Sequence, residues 1–135
     1  MFEHRSTFRV RYGETDRMGY MYHGRYAELF EVGRVEALRA LGIRYLELEE
    51  RGVLLPVREM HIVYHAPARY DDALTVITRV VSMPNVRMLF TYEVRNERED
   101  LLTEAEVTLV FIQAATGKPC RAPAWVIEKL GPYLR

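Results

Sequence analysis

Between residues 12 and 34 the chain reads Tyr12-Gly13-Glu14-Thr15-Asp16-Arg17-Met18-Gly19-Tyr20-Met21-Tyr22-His23-Gly24-Arg25-Tyr26 and runs on through Phe30, Glu31, Gly33 and Arg34. These types suit acid–base or nucleophilic work, with one carboxylate, Asp16, and one imidazole, His23, set among aromatic side chains. A strand is expected to end there, a short loop to deliver Asp16, and a helix to begin near Gly24. That order sets Asp16 beside a helix N-terminus, where unpaired backbone N–H groups and the positive end of the helix dipole can receive an oxygen gaining negative charge. An acid next to such a site points to acyl chemistry. Read from the residues alone, a plainer alternative stays open and fits the pattern better: a loop acid that binds only neighbouring backbone N–H groups.

The flanking sequence predicts the elements that hold this stretch. Thr7 to Tyr12 alternates Phe8, Val10 and Tyr12 against Thr7, Arg9 and Arg11, the period of a strand with one buried face. From Gly24 to Leu41, Tyr26, Leu29, Phe30, Gly33, Ala37, Leu38 and Leu41 recur at helical steps, and Gly42 is a natural stop. Gly33 in mid-helix predicts a close neighbour such as a sheet. Glu31 and Arg34, three apart, are expected to form an ion pair. Arg44 to Arg51 suggests a short helical turn. Strand periodicity then covers Pro56 to His65, Leu74 to Val81, Arg87 to Val94 and Leu101 to Ile112, with turns at Ala66 to Asp72, Pro84-Asn85 and Asn96 to Asp100. A terminal helix is expected over about Pro123 to Leu130. The result is an α+β fold in which an antiparallel five-stranded sheet faces one long helix. Apolar surface is expected on the sheet's other face, which predicts a symmetric dimer or tetramer.

Composition narrows the classes. At 135 residues, nearly half apolar, residues 1–135 are read as a single domain able to form a core without staples. Nineteen basic and nineteen acidic residues cancel, which gives no general reason to expect nucleic acid or an anionic membrane as partner. Cys120 is the lone cysteine, so no disulfide can close within the chain. His4, His61 and His65 show no metal-ligand spacing, and no metal is expected. No stretch is apolar and long enough to span a bilayer, and the first residues lack a signal-peptide pattern, so a cytoplasmic protein is expected.

On the motif Tyr12-Gly13-Glu14-Thr15-Asp16, Gly19, Tyr22-His23, Tyr26, Phe30-Glu31, Arg34 and Glu36, followed by Leu41-Gly42, the chain resembles the hotdog-fold acyl-CoA thioesterases of the 4-hydroxybenzoyl-CoA thioesterase type. Pro67-Ala68-Arg69-Tyr70-Asp71-Asp72, Leu74 and Val76 form a second match, and the element order agrees over about residues 5 to 115. The resemblance implies a hotdog fold, with the sheet wrapped around the helix, and hydrolysis of acyl-CoA without a cofactor, coenzyme A being part of the substrate. It implies Asp16 as nucleophile or general base, and backbone N–H groups near His23 and Gly24 as the polarisers of the thioester carbonyl. Gly19, Tyr22, Tyr26, Met60 and Arg87 are then the candidate substrate-binding residues, Arg87 toward the CoA phosphates. In the resembling family the site lies at a subunit interface. Tyr22 and Tyr26 read equally well as core aromatics and Arg87 as a solvated surface residue; Met18, Met21, Met60, Met83 and Met88 could form an adaptable acyl pocket, though methionines more often fill cores. A hotdog module that binds acyl-CoA or a partner without turnover remains the alternative. A hotdog dehydratase ranks last, because His23 with Glu28 does not reproduce the His-centred motif.

Overall fold

The computed structural model describes residues 1–134. Its elements are β1 (Phe2–Arg9), α1 (Arg25–Ala40), α2 (Tyr45–Glu50), β2 (Val53–Leu54), β3 (Val57–Tyr64), β4 (Ala73–Val80), β5 (Arg87–Arg95), β6 (Leu101–Val110), β7 (Ile112–Gln113) and α3 (Ala124–Leu130). Five strands form one antiparallel sheet in the order β1-β4-β5-β6-β3, with β1 and β3 at its edges. α1 lies against one face of this sheet, and the core fills the space between them. This is the expected α+β hotdog arrangement.

Alternation explains the inner face. Leu74, Val76, Thr78 and Val80 of β4 and Met88, Phe90, Tyr92 and Val94 of β5 are all buried, as are Tyr26, Leu29, Phe30, Ala37 and Leu38 of α1. At Gly33 helix and sheet come closest. A Cβ built there would lie 2.7 Å from Thr78 Oγ1 and 3.3 Å from Val76 Cγ1, so only glycine lets α1 approach this near.

The structure corrects several expectations. β1 runs from Phe2 to Arg9, earlier than the predicted Thr7 to Tyr12, and Tyr12–Glu14 forms a 3-10 turn instead. The predicted last strand ends at Val110; Ile112–Gln113 leaves the sheet to pair with β2. Arg34 does not pair with Glu31. It sits on the buried stripe of α1, where its Nε donates to Tyr45 Oη at 3.3 Å while Glu31 faces solvent. The outer sheet face is charged rather than apolar: Arg79 bridges Glu3 and Glu93, and Arg95 pairs with the same Glu93. On this face Ile77 is buried with Arg5 and Glu93 as its cross-strand partners.

Candidate active site

Glu14 shapes the loop that carries Asp16. Its side chain is buried and its Oε1 accepts the Arg11 backbone N–H at 2.8 Å and Arg11 Nε at 3.2 Å. Burial pushes the Glu14 carboxyl up, but the Arg11 amide and guanidinium outweigh it and hold the group below its usual range. Tyr22 N–H donates to the Glu14 carbonyl at 2.8 Å, so the chain doubles back around the intervening residues. A second clamp comes from the Pro67 to Asp72 loop, where Met21 N–H reaches the Ala68 carbonyl at 2.7 Å and Tyr20 bridges to Arg69. That loop is itself closed by Asp72 Oδ2 accepting Arg69 N–H at 2.8 Å, and Val10 N–H donates to the Asp72 carbonyl at 3.0 Å. The two sequence matches of the first subsection are therefore one structural unit.

Inside this frame Asp16 heads a tight turn. Its Oδ1 accepts Met18 N–H at 2.9 Å and Tyr20 N–H at 3.3 Å, and Gly19 N–H donates to its carbonyl at 3.0 Å. Gly19 has φ of 81°, a conformation that favours glycine. Oδ1 thus does what the plainer reading asks of a loop acid. Among the described residues, Oδ2 has no hydrogen-bond partner, and Asp16 lines a cleft of about 280 Å³.

The other cleft residues are Met18, Tyr20, Met21, His23, Tyr26, Tyr64, His65, Ala66 and Pro67. His23 stands just before α1. Its N–H and that of Gly24 donate to no acceptor among the described residues, whereas Arg25 and Tyr26 N–H groups bond to Tyr22 and His23 carbonyls at 2.9 and 3.3 Å. The His23 ring packs against Tyr22 at 4.5 Å and makes no hydrogen bond among the described residues. Tyr26 is 2% exposed, its ring edge-on to Tyr64 at 5.3 Å, and burial raises its phenol above the ordinary range.

Asp16, His23 and Tyr26 thus share one cleft. Gly24 follows His23 in the chain, and neither it nor Tyr22 lines the cleft; a Cβ at Gly24 would lie 2.6 Å from the half-exposed Tyr22 ring. Gly19 opens instead onto a neighbouring groove with Tyr12, Arg17 and Tyr70, and Asp16 forms the wall between the two. Met60 lies on β3 against the core, and Arg87 is exposed at the start of β5; neither lines the cleft. Sequence reasoning did not single out Tyr64, His65, Ala66 or Pro67 as cleft residues. The available signal was the abutment of Tyr64 on the Pro67 motif. Among the described residues there is no His, Cys, Asp and Glu cluster suited to a metal, and no helix long and apolar enough to cross a membrane.

A five-stranded antiparallel sheet cradling one long helix defines a hotdog-fold protein. Residues 10–130 match the thioesterase-like superfamily, and the chain belongs to that family. It is 36% identical over 121 residues to the acyl-CoA thioester hydrolase YbgC of Escherichia coli, covering 90% of each chain. The Haemophilus influenzae acyl-CoA thioesterase YbgC is 36% identical over 117 residues, 85% of each chain. Among solved structures, a DHNA-CoA thioesterase from Staphylococcus aureus superposes with a TM-score of 0.85 at 33% identity, covering 98% of this chain and 84% of that one. A hypothetical protein from Thermus thermophilus gives 0.88 at 33% identity, over 95% and 97%.

Proposed function

We propose that the protein hydrolyses acyl-CoA thioesters to a free carboxylate and CoA, with Asp16 as nucleophile or general base. The observation that carries this reading is the division of labour at Asp16: Oδ1 is occupied by backbone N–H groups, while Oδ2 has no partner among the described residues and the residue lines the cleft. The turn holds the carboxylate still, and the free oxygen attacks the thioester carbon or takes a proton from attacking water. The N–H groups of His23 and Gly24, without an acceptor among the described residues, are the donors to the carbonyl oxygen as it gains charge. Water supplies the oxygen of the product acid and the CoA thiolate departs, so the step draws on no metal or redox cofactor. Tyr22 and Tyr26 bound the thioester channel, and Met60 and Arg87 belong to more distant parts of the substrate path. The YbgC relatives, named as acyl-CoA thioester hydrolases and thioesterases, support the substrate class.

The reading includes a second copy. β3 is an edge strand bonded on one side only, with Val57, Val63 and Tyr64 exposed, and its end walls the cleft. Such an edge invites pairing. We therefore expect a homodimer or homotetramer with the site completed at a subunit interface, working in a reducing cytoplasm.

The test is free-thiol release from short, long and aromatic acyl-CoAs. Turnover of at least one class is expected. Binding of acyl-CoA with no release from any class would overturn hydrolysis in favour of a binding module.

A further inference from the structure

Tyr64 ends β3, 41 positions along the chain from His23, yet its phenol Oη donates to the His23 carbonyl at 3.2 Å. Two edge-to-face contacts hold the ring: Tyr26 at 5.3 Å, itself buried in the core, and His23 at 6.4 Å. The accepting carbonyl belongs to the peptide unit whose N–H is that of Gly24. A trans peptide is planar, with its C=O and N–H pointing in opposite directions. Fixing the oxygen therefore fixes the line along which Gly24 N–H points. A hydrogen bond to the oxygen also polarises the unit and makes the N–H a stronger donor. The same carbonyl also accepts Tyr26 N–H at 3.3 Å, so the phenol shares it with the first turn of the helix.

We propose that Tyr64 is a positioning residue, whose phenol aims and strengthens the Gly24 N–H toward the substrate carbonyl oxygen. This rests on the thioesterase reading above, in which Gly24 N–H is an oxyanion donor. Tyr64 acts through the peptide and takes no proton itself. It also ties the site to the edge strand, so any partner that pairs with β3 acts directly on the residue that aims the donor.

The experiment pairs kinetics with a readout independent of turnover. In ¹⁵N-labelled protein the Gly24 amide nitrogen reports hydrogen bonding at the preceding carbonyl. Tyr64→Phe keeps both ring contacts and removes only the hydroxyl. The expected result is an upfield shift of the Gly24 nitrogen, with kcat lowered about tenfold, the weight of one ordinary hydrogen bond, and KM within about twofold. 3-Fluorotyrosine placed at position 64, a stronger donor, should move the Gly24 nitrogen the other way and leave kcat at or above the wild-type value. An unmoved Gly24 signal in both variants overturns the proposal, and so does a rise in KM at constant kcat, which would mean that Tyr64 binds substrate directly. If wild type releases no thiol, the thioesterase reading fails, while the Gly24 shift still decides whether Tyr64 controls that amide.

Discussion

Charge is used in opposite ways on the outer sheet face and at the start of α1. Across the sheet, Glu3, Arg79, Glu93 and Arg95 form a chain in which each ionised group meets an opposite one, and Arg79 holds the Glu93 carboxyl below its usual range with help from Arg95. Around the cleft the bonding stops short: among the described residues Asp16 Oδ1 is used and Oδ2 is not, and the N–H groups of His23 and Gly24 lack acceptors. Groups paired with an opposite charge are spent on holding strands together. Groups held firmly but left incomplete are available to a reacting molecule. The comparison predicts that substitutions at the cleft cost activity and substitutions on the sheet cost stability.

The largest effect is expected at Asp16. Asparagine keeps an Oδ1 that can accept Met18 and Tyr20 N–H, so the turn survives while the basic oxygen is lost; kcat should fall about a thousandfold with an unchanged melting temperature. A matching loss of stability would erase the contrast between the two regions. Gly33→Ala comes next, because its Cβ meets Thr78 Oγ1 and Val76 in a filled core. Overpacking outweighs the better helix propensity of alanine, for a net cost of about 1–2 kcal/mol in urea denaturation, with kcat of the folded enzyme close to wild type.

Glu93→Gln should lower stability by about 1 kcal/mol at neutral pH, with thiol release unaffected. The pH dependence has a definite sign. A carboxyl depressed in the fold stabilises fully above its unfolded value, near 4.3, and loses that contribution as pH falls through the lower folded value. Wild type and Glu93→Gln should therefore converge in melting temperature as the pH is lowered below about 4. The smallest effect is expected for Arg34→Met. Arg34 is buried with a phenol, and among the described residues no carboxylate, as hydrogen-bond partner, so losing the charge removes a desolvation cost along with the bond, and stability should change by less than about 1 kcal/mol in either direction.

Much of this was legible before the structure. The helical spacing of Tyr26, Phe30, Ala37 and Leu38 located α1, and a glycine at position 33 announced the close sheet. Position 34 lies on that same buried stripe, but the three-residue spacing from Glu31 suggests an ion pair, because spacing shows which side chains are near and not which way they turn. The outer face differs from the apolar surface its alternation predicts for a related reason. Alternation separates two faces of a strand, whereas the Arg79 and Glu93 pairing depends on how β4 and β5 register, a property of the assembled sheet. Tyr64 and the second clamp on the Asp16 loop join segments more than forty residues apart, and local periodicity carries no record of such contacts.

The central claim is that Asp16 acts on a thioester already bound in the cleft. Its most direct test mixes Asp16→Asn with an acyl-CoA that wild type hydrolyses, and follows binding by calorimetry and thiol release in a single turnover on the same sample. The account predicts binding within about threefold of wild type, with release slowed about a thousandfold. Release at the wild-type rate from that variant would contradict it.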